Sequence, residues 1–217
     1  MPNFEEVKST IFNMNKESAP GPYGFGSLFF LTYWDIVAQD VIDDIIQFFR
    51  SGWIIPNFNS NSIVLIPKSK NADPVDHFRP IALANYKFNI ITKIIGQILA
   101  QMMLFIISPN QRDFIRGRKM KDCLCIKFES INVWNNKASG DNLALKIDIK
   151  KTFDTIQWSL LIQVLRKFGF NDMFCGWMEV ILKSVKLSIS INRNQRVSLT
   201  VKEELGTKIH SLTFSFV

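Results

Sequence analysis

The chain has 217 residues, 47% of them hydrophobic, so it is long and apolar enough to bury a core, and its composition argues against disorder. Its 26 lysines and arginines against 19 acidic residues give a net charge of +7, which fits a polyanionic partner such as nucleic acid and equally fits a solvated basic surface. Three cysteines make no even disulfide framework and two histidines argue against a Cys/His metal site, so we expect reduced thiols inside a cell.

The first predicted elements are two helices separated by a loop. Apolar residues recur at helical spacing over Phe4–Met14, and Asn3 precedes them as an N-cap. The prolines and glycines of residues 19–22 predict a loop. A second helix is predicted over Trp34–Phe49, ended by Gly52 and carrying one apolar face of Val37, Val41, Ile45 and Phe48.

Two strands and a long helix are predicted next. Ser62–Pro67 is short, β-branched and ended by proline, which indicates a buried strand, and Phe78–Leu83 is its predicted partner across a loop containing Asp73-Pro74. The most apolar stretch is Phe88–Ile107. Because polar residues interrupt it at helical spacing, we expect an amphipathic, largely buried helix and no membrane span; these residues are Asn89, Lys93, Gln97 and Gln101.

The second half of the chain alternates helices and strands. A helix is predicted between Lys121 and Asn135, and a half-buried strand over Asn142–Ile149 ends in Asp148. A further helix over Trp158–Phe168, ended by Gly169, is expected to point these residues inward: Leu161, Val164, Leu165 and Phe168.

A last helix and a hairpin complete the predicted elements. Asn171 or Asp172 caps a helix whose apolar face is Phe174, Trp177, Met178 and Ile181. Alternating residues over Leu187–Val201, with turn chemistry at residues 192–194, predict a β-hairpin. The fold class is therefore α+β, with helices packed on an antiparallel sheet.

Residues 145–158 carry the most informative motif. A buried strand that ends in Asp148 can present a carboxylate to a divalent metal, since Mg²⁺ prefers hard oxygen ligands. A surface aspartate just past a strand is the alternative, and for an isolated aspartate it is favoured.

The motif is richer than one aspartate, and it resembles the first catalytic motif of LINE-type (non-LTR retrotransposon) reverse transcriptases, with Thr152 in place of the usual alanine. Its matching residues are Asp148, Lys151, Phe153, Asp154 and Trp158. The resemblance implies Asp148 as the catalytic carboxylate, Asp148 and Ile149 as the Mg²⁺ site, and Phe153 as the steric gate against a ribose 2′-hydroxyl.

Other segments resemble the same family in the same order. Ser18–Phe25 resembles its Ala-Pro-Gly-Pro-Asp-Gly-Phe loop, with Tyr23 in place of aspartate, and residues 63–68 and 78–83 resemble two strands of its fingers. The resemblance implies that Lys68 and Arg79 meet the incoming triphosphate. A solvated basic pair is the alternative.

Residues 111–118 resemble the family's Gln-x-Gly-Phe-x-x-Gly-Arg element. Asp113 stands where glycine is expected, which is costly if that position needs a positive φ. A basic cluster in and after this element is a candidate for binding phosphates, with a solvated face as the alternative; its members are Arg116, Arg118, Lys119 and Lys121.

The resemblance implies the fingers and incomplete palm of a right-hand polymerase without a thumb. Residues 1–120 would form the fingers region with N-terminal helices, and residues 121–217 a partial palm. It also implies an RNA template, a DNA primer, Mg²⁺, and a location in the nucleus or cytoplasm.

Two departures lead us to expect that this chain alone does not polymerise DNA. Glu204–Phe214 stands where the family has a Gln-Gly-Asp-Pro element, and no aromatic-x-Asp-Asp motif follows. Asp43-Asp44 lies within a predicted helix and cannot substitute. A residual module that binds nucleic acid without sequence preference and a non-functional retroelement remnant are the alternative interpretations.

Overall fold

The computed structural model describes residues 1–70, 74, 77–113, 115–132, 147, 156–191 and 194–200, and for residues 190, 191 and 194–200 it describes the backbone alone. The described residues form seven helices and four strands, as the predicted mixed class requires: α1 Phe4–Phe12, α2 Ser27–Thr32, α3 Trp34–Ser51, β1 Ser60–Pro67, β2 Phe78–Ala84, α4 Tyr86–Ile106, α5 Met120–Asn132, α6 Trp158–Lys167, α7 Asp172–Lys183, β3 Lys186–Ile191 and β4 Asn194–Thr200. The chain divides into two units, residues 1–95 with 151–217, and residues 96–150.

The N-terminal helices form where capping residues predict them. Asn3 and Glu6 make a reciprocal capping box at the start of α1, in which each side chain accepts from the other residue's backbone N–H. Gly52 ends α3 in the left-handed region at φ 65°, with its N–H donating to the Phe48 carbonyl. The predicted helix at residues 34–49 is confirmed, with Asp43 and Asp44 inside it. The short helix α2 was not predicted.

A four-stranded sheet in the order β2-β1-β3-β4 lies in the first unit. Both predicted antiparallel pairs, β1 with β2 and β3 with β4, are confirmed. The expectation of a wholly antiparallel sheet is wrong, because β3 joins β1 in parallel through residues 60–63 and 186–189. This pairing connects segments more than a hundred residues apart, so the sheet depends on the chain's long-range folding.

Helix α7 packs against the core of this unit through aromatic contacts and side-chain amide hydrogen bonds. The Trp177 ring packs edge-on against Phe49 at 4.9 Å between centroids, and its Nε1 donates to the Phe49 carbonyl at 3.2 Å. Asn59, at the start of the sheet, donates from Nδ2 to the Ile181 carbonyl at 3.0 Å and to Ser184 Oγ at 2.9 Å. The predicted apolar face of α7 is confirmed, as is the Asn171 cap.

The predicted burial patterns of β1 and α6 need correction. β1 is buried at Asn61 and Ile63, while its last residues are exposed, so it is a half-buried strand. In α6 the buried stripe is Trp158, Ile162 and Leu165, whereas Val164 and Phe168 are exposed. The predicted stripe and the buried stripe of α6 are both apolar. Packing against the neighbouring elements selects the buried stripe, whose members are spaced by four and then three residues.

The long helix α4 is buried only in its first half. Its buried residues lie between Tyr86 and Ile95, and its remainder is half-buried or exposed, so the expectation of a largely buried helix is wrong for that remainder. Among the described helices, α4 has the length and apolar composition of a membrane span, a property that core helices share. The Tyr86 hydroxyl accepts from Ser27 Oγ at 3.2 Å, and burial raises the pKa of Tyr86 although that hydrogen bond acts to lower it.

Several predicted features lie outside the described residues. They are the strand at residues 142–149 apart from Ile147, the hairpin turn at residues 192–193 and the segment Glu204–Phe214.

Candidate nucleic-acid interface

The loop at residues 18–25 is held against the end of β2 by steric fit and by one amide. A Cβ placed on Gly21 would lie 2.3 Å from the Ala84 carbonyl oxygen and 2.6 Å from the Asn85 nitrogen, so only glycine fits there. The buried Asn85 accepts from the Tyr23 N–H at 3.0 Å and donates to the Phe58 carbonyl at 3.0 Å. The end of β2 and the adjoining Asn85 therefore position the loop.

Lys68 and Arg79 lie at one end and on one face of the β1–β2 ladder. Arg79 stands opposite Ile66, and the Lys68 N–H donates to the His77 carbonyl at 2.9 Å, which continues the same register by one pair. Lys68 and Arg79 are therefore diagonal neighbours on the same face, at about the 7–8 Å spacing of such pairs. Both residues are exposed, so two cations converge where a polyanion can reach them.

The basic cluster of the second unit contains two kinds of residue. Arg116, Lys119 and Lys121 are exposed. The guanidinium of Arg118 donates to the carbonyls of Ser108, Gln111 and Ile107 at 2.6, 2.7 and 2.9 Å, and to Leu104 at 3.4 Å. Arg118 thus caps the carbonyl end of α4. These hydrogen bonds occupy guanidinium N–H donors that a phosphate would otherwise use.

The departure at Asp113 carries no backbone strain. Among the described residues, Asn57 is the one non-glycine residue with a positive φ, so Asp113 does not occupy the conformation that would have made it costly. The positive φ in this element belongs to Gly117, at 85°, four residues further on.

The proposed metal and gate residues are not among those described. Asp148, Ile149 and Phe153 lie outside the described residues, and the described part of the chain has no group of three His, Cys, Asp or Glu residues able to hold a metal. The described residues therefore do not provide a site for the family's metal ion. The roles of these three residues remain predictions from the sequence motif.

Sequence reasoning missed the residues that shape this region. Asn85 follows β2 directly, and a polar residue between a strand and a helix is the signal that could have identified it. In the sequence, Lys93 is one of the polar residues that make α4 amphipathic, and no motif marks it further. The structure places it in the lining of a cavity beside residues 13–19 and the end of β2.

Comparison with known proteins identifies the class to which these features belong. Residues 66–211, about two thirds of the chain, match the family described as reverse transcriptase (RNA-dependent DNA polymerase). The chain therefore belongs to the reverse transcriptase family, and the resemblance found in its motifs is confirmed. Members of this family bind an RNA template and a DNA primer, and they use a divalent metal ion.

Two relatives support this assignment. The chain is 24% identical over 189 residues to the Transposon TX1 uncharacterized 149 kDa protein of Xenopus laevis, covering 87% of this chain and 14% of the relative. It is 28% identical over 120 residues to the Putative COX1/OXI3 intron 1 protein of Saccharomyces cerevisiae, covering 54% of this chain and 13% of the relative. The first relative is a transposon protein, in agreement with the predicted retrotransposon origin. The chain spans about one seventh of the length of these relatives.

Proposed function

We propose that this chain is the nucleotide-handling part of the RNA-directed DNA polymerase of a non-LTR retrotransposon. Residues 1–120 act as its fingers with N-terminal helices, and residues 121–217 contribute to its palm. The observation that carries the proposal is the convergence of Lys68 and Arg79 on one face at one end of the β1–β2 ladder, within the matched family segment.

Charge and shape on this ladder suit the triphosphate of an incoming deoxynucleotide. The planar fork of Arg79 can engage two phosphate oxygens at once, and the Lys68 ammonium acts as a mobile point charge. Because the two side chains are diagonal neighbours, they can contact adjacent phosphates of one nucleotide. Charge-assisted hydrogen bonds of this kind are worth about 1.5–3 kcal/mol each.

The motif residues complete the proposal. Asp148 and Ile149 would hold Mg²⁺, the ion that supplies charge neutralisation at the reacting phosphate, and Phe153 would exclude a 2′-hydroxyl. The RNA template would follow the basic surface that includes Arg116, Lys119 and Lys121.

The test is equilibrium binding of a fluorescent deoxynucleoside triphosphate, followed by anisotropy, to the wild-type chain and two single variants. Lys68→Met and Arg79→Met are each expected to weaken binding by about tenfold or more, since each removes a charge-assisted contact. The controls are Lys167→Met and Arg50→Met, which remove the same charges from exposed helix positions. Equal weakening by test and control variants would show that only net charge matters and would refute the proposed site.

A further inference from the structure

A cavity of about 440 Å³ opens beside the loop after α1, the end of β2 and the buried half of α4. This volume lies within the range of small-molecule sites. Its described lining includes Asn13, Asn15, Ile81, Leu83, Asn89 and Lys93.

The electrostatics of this cavity favour an anion. Lys93 is the one ionisable side chain in the described lining, which contains no aspartate or glutamate. Lys93 is half-buried, and the described residues give it no ion-pair partner. An ammonium group that is partly withdrawn from water, and that has no carboxylate partner among the described residues, attracts a ligand phosphate more strongly than a fully solvated lysine does.

The rest of the lining offers both hydrogen bonds and apolar surface. The amides of Asn13 and Asn89 can donate and accept, and the Asn15 amide can donate while its oxygen accepts from the Glu17 N–H, which matches the mixed edges of nucleobases and ribose. Ile81 and Leu83 supply an apolar wall. A bare phosphate would use the lysine alone, and a wholly apolar ligand would strip water from the amides without replacing its hydrogen bonds. A nucleotide supplies a phosphate, polar edges and a flat ring together.

The same wall also contains a buried acceptor, which a ligand reaches only if the wall shifts. Asn59 donates from its Nδ2, so its Oδ1 accepts from the Asn61 amide at 3.2 Å, and this fixes the orientation of the Asn61 side chain. Asn61 Oδ1 is left without a protein partner among the described residues. Because Asn61 is fully buried, a donor can reach its oxygen only if the wall shifts, so recognition is assigned to the accessible groups and first to Lys93.

We propose that this cavity binds one nucleotide unit of a single-stranded nucleic acid, with Lys93 on its phosphate and the asparagine-lined wall on its base and sugar. The proposal rests on the proposed function and adds a second site to it, since Lys93 belongs to α4 and not to the β1–β2 ladder. The site would position a strand through the phosphate and the base of one of its nucleotides.

The experiment measures anisotropy of a fluorescein-labelled ten-nucleotide single-stranded RNA on the whole chain and on two variants. Lys93→Met is expected to weaken binding about tenfold. Lys167→Met removes the same charge from an exposed position on α6, outside the cavity, and is expected to weaken binding about twofold at most. Methionine keeps the length and helix propensity of lysine, so both variants should fold, and thermal unfolding checks this.

Two further arms identify what is bound. An oligomer of abasic sites with the same phosphates is expected to bind more weakly than the RNA, and Lys93→Met should weaken its binding less than it weakens RNA binding. Competition by uridine monophosphate would show that the cavity also binds free nucleotides. A lack of competition would show that the cavity binds a nucleotide only within a strand. Equal loss in the two lysine variants, or equal binding of the abasic oligomer, would overturn the nucleotide site while leaving the proposed function standing. Failure of the wild-type chain to bind RNA at all would count against both.

Discussion

Replacing Gly21 with alanine is expected to lower the free energy of unfolding by about 3 kcal/mol, the upper end of the usual cost of overpacking. The new methyl group would lie 2.3 Å from the Ala84 oxygen and 2.4 Å from its carbonyl carbon. These are backbone atoms of a sheet strand, so they cannot move aside as the end of a flexible side chain can. The loop must instead leave β2, which would also break the hydrogen bond from the Tyr23 N–H to Asn85.

The matched control is Gly176→Ala in the interior of α7. Nothing lies within 4 Å of a Cβ at that position, and glycine there carries the helix penalty. This variant should therefore be more stable than the wild type by up to about 1 kcal/mol. Urea unfolding of the three proteins measures both effects. A Gly21→Ala protein within about 0.5 kcal/mol of the wild type, the range of neutral surface changes, would contradict the packing of the loop on β2.

The second large effect is the dependence of RNA binding on salt. The affinity for single-stranded RNA is expected to fall about a hundredfold between 50 and 200 mM salt, if about five phosphates are neutralised on a single strand. The net charge of +7 and the exposed Arg116, Lys119 and Lys121 supply the cations. Because these contacts are made to phosphates, RNA and DNA oligomers of different sequence should bind with similar affinity.

Anisotropy titrations at the two salt concentrations measure this dependence, with an uncharged peptide nucleic acid of the same sequence as the control. The control oligomer should not bind, since it has no phosphates and releases no counterions. An affinity for RNA that is unchanged between the two salt concentrations would show that electrostatic contacts to phosphate do not drive binding.

Local sequence signals predicted the elements that have strong caps and a clear period. Asn3, Gly52 and Asn171 each mark a helix end in the structure as their chemistry requires. The hairpin of β3 and β4 also follows from a local alternation of residues. α2 escaped prediction because six residues give too few turns for a helical period to show.

Long-range pairing and the choice between two apolar faces could not be read from local pattern. The parallel contact of Ser60 with Lys186 joins distant segments, and no short motif specifies it. In α6 the stripe that includes Val164 and Phe168 is as apolar as the one that is buried, and the neighbouring elements decide between them.

The residues of the candidate site also divide into those that the sequence identifies and those that only the fold identifies. Lys68 and Arg79 are predicted together because both match basic positions in the two fingers strands of the family, and the observed pairing of β1 with β2 places them on one face. Asn85 and Lys93 were missed because their importance comes from what the fold places beside them, a loop carbonyl and a cavity. Arg118 was grouped with its basic neighbours, yet its position after α4 directs its guanidinium onto the helix's last carbonyls.

The central claim, that the β1–β2 ladder receives the triphosphate of a nucleotide, is tested most directly by photocrosslinking. A deoxynucleoside triphosphate carrying an aryl azide on its γ-phosphate is irradiated with the chain and Mg²⁺, and the modified peptides are mapped by mass spectrometry. We expect the modified residues to lie within the segment 60–84. We also expect a Lys68→Met/Arg79→Met double variant to lose most of the signal and a Lys167→Met/Arg50→Met double variant to keep it. Modification outside that segment, or an unchanged yield in the first double variant, would contradict the claim.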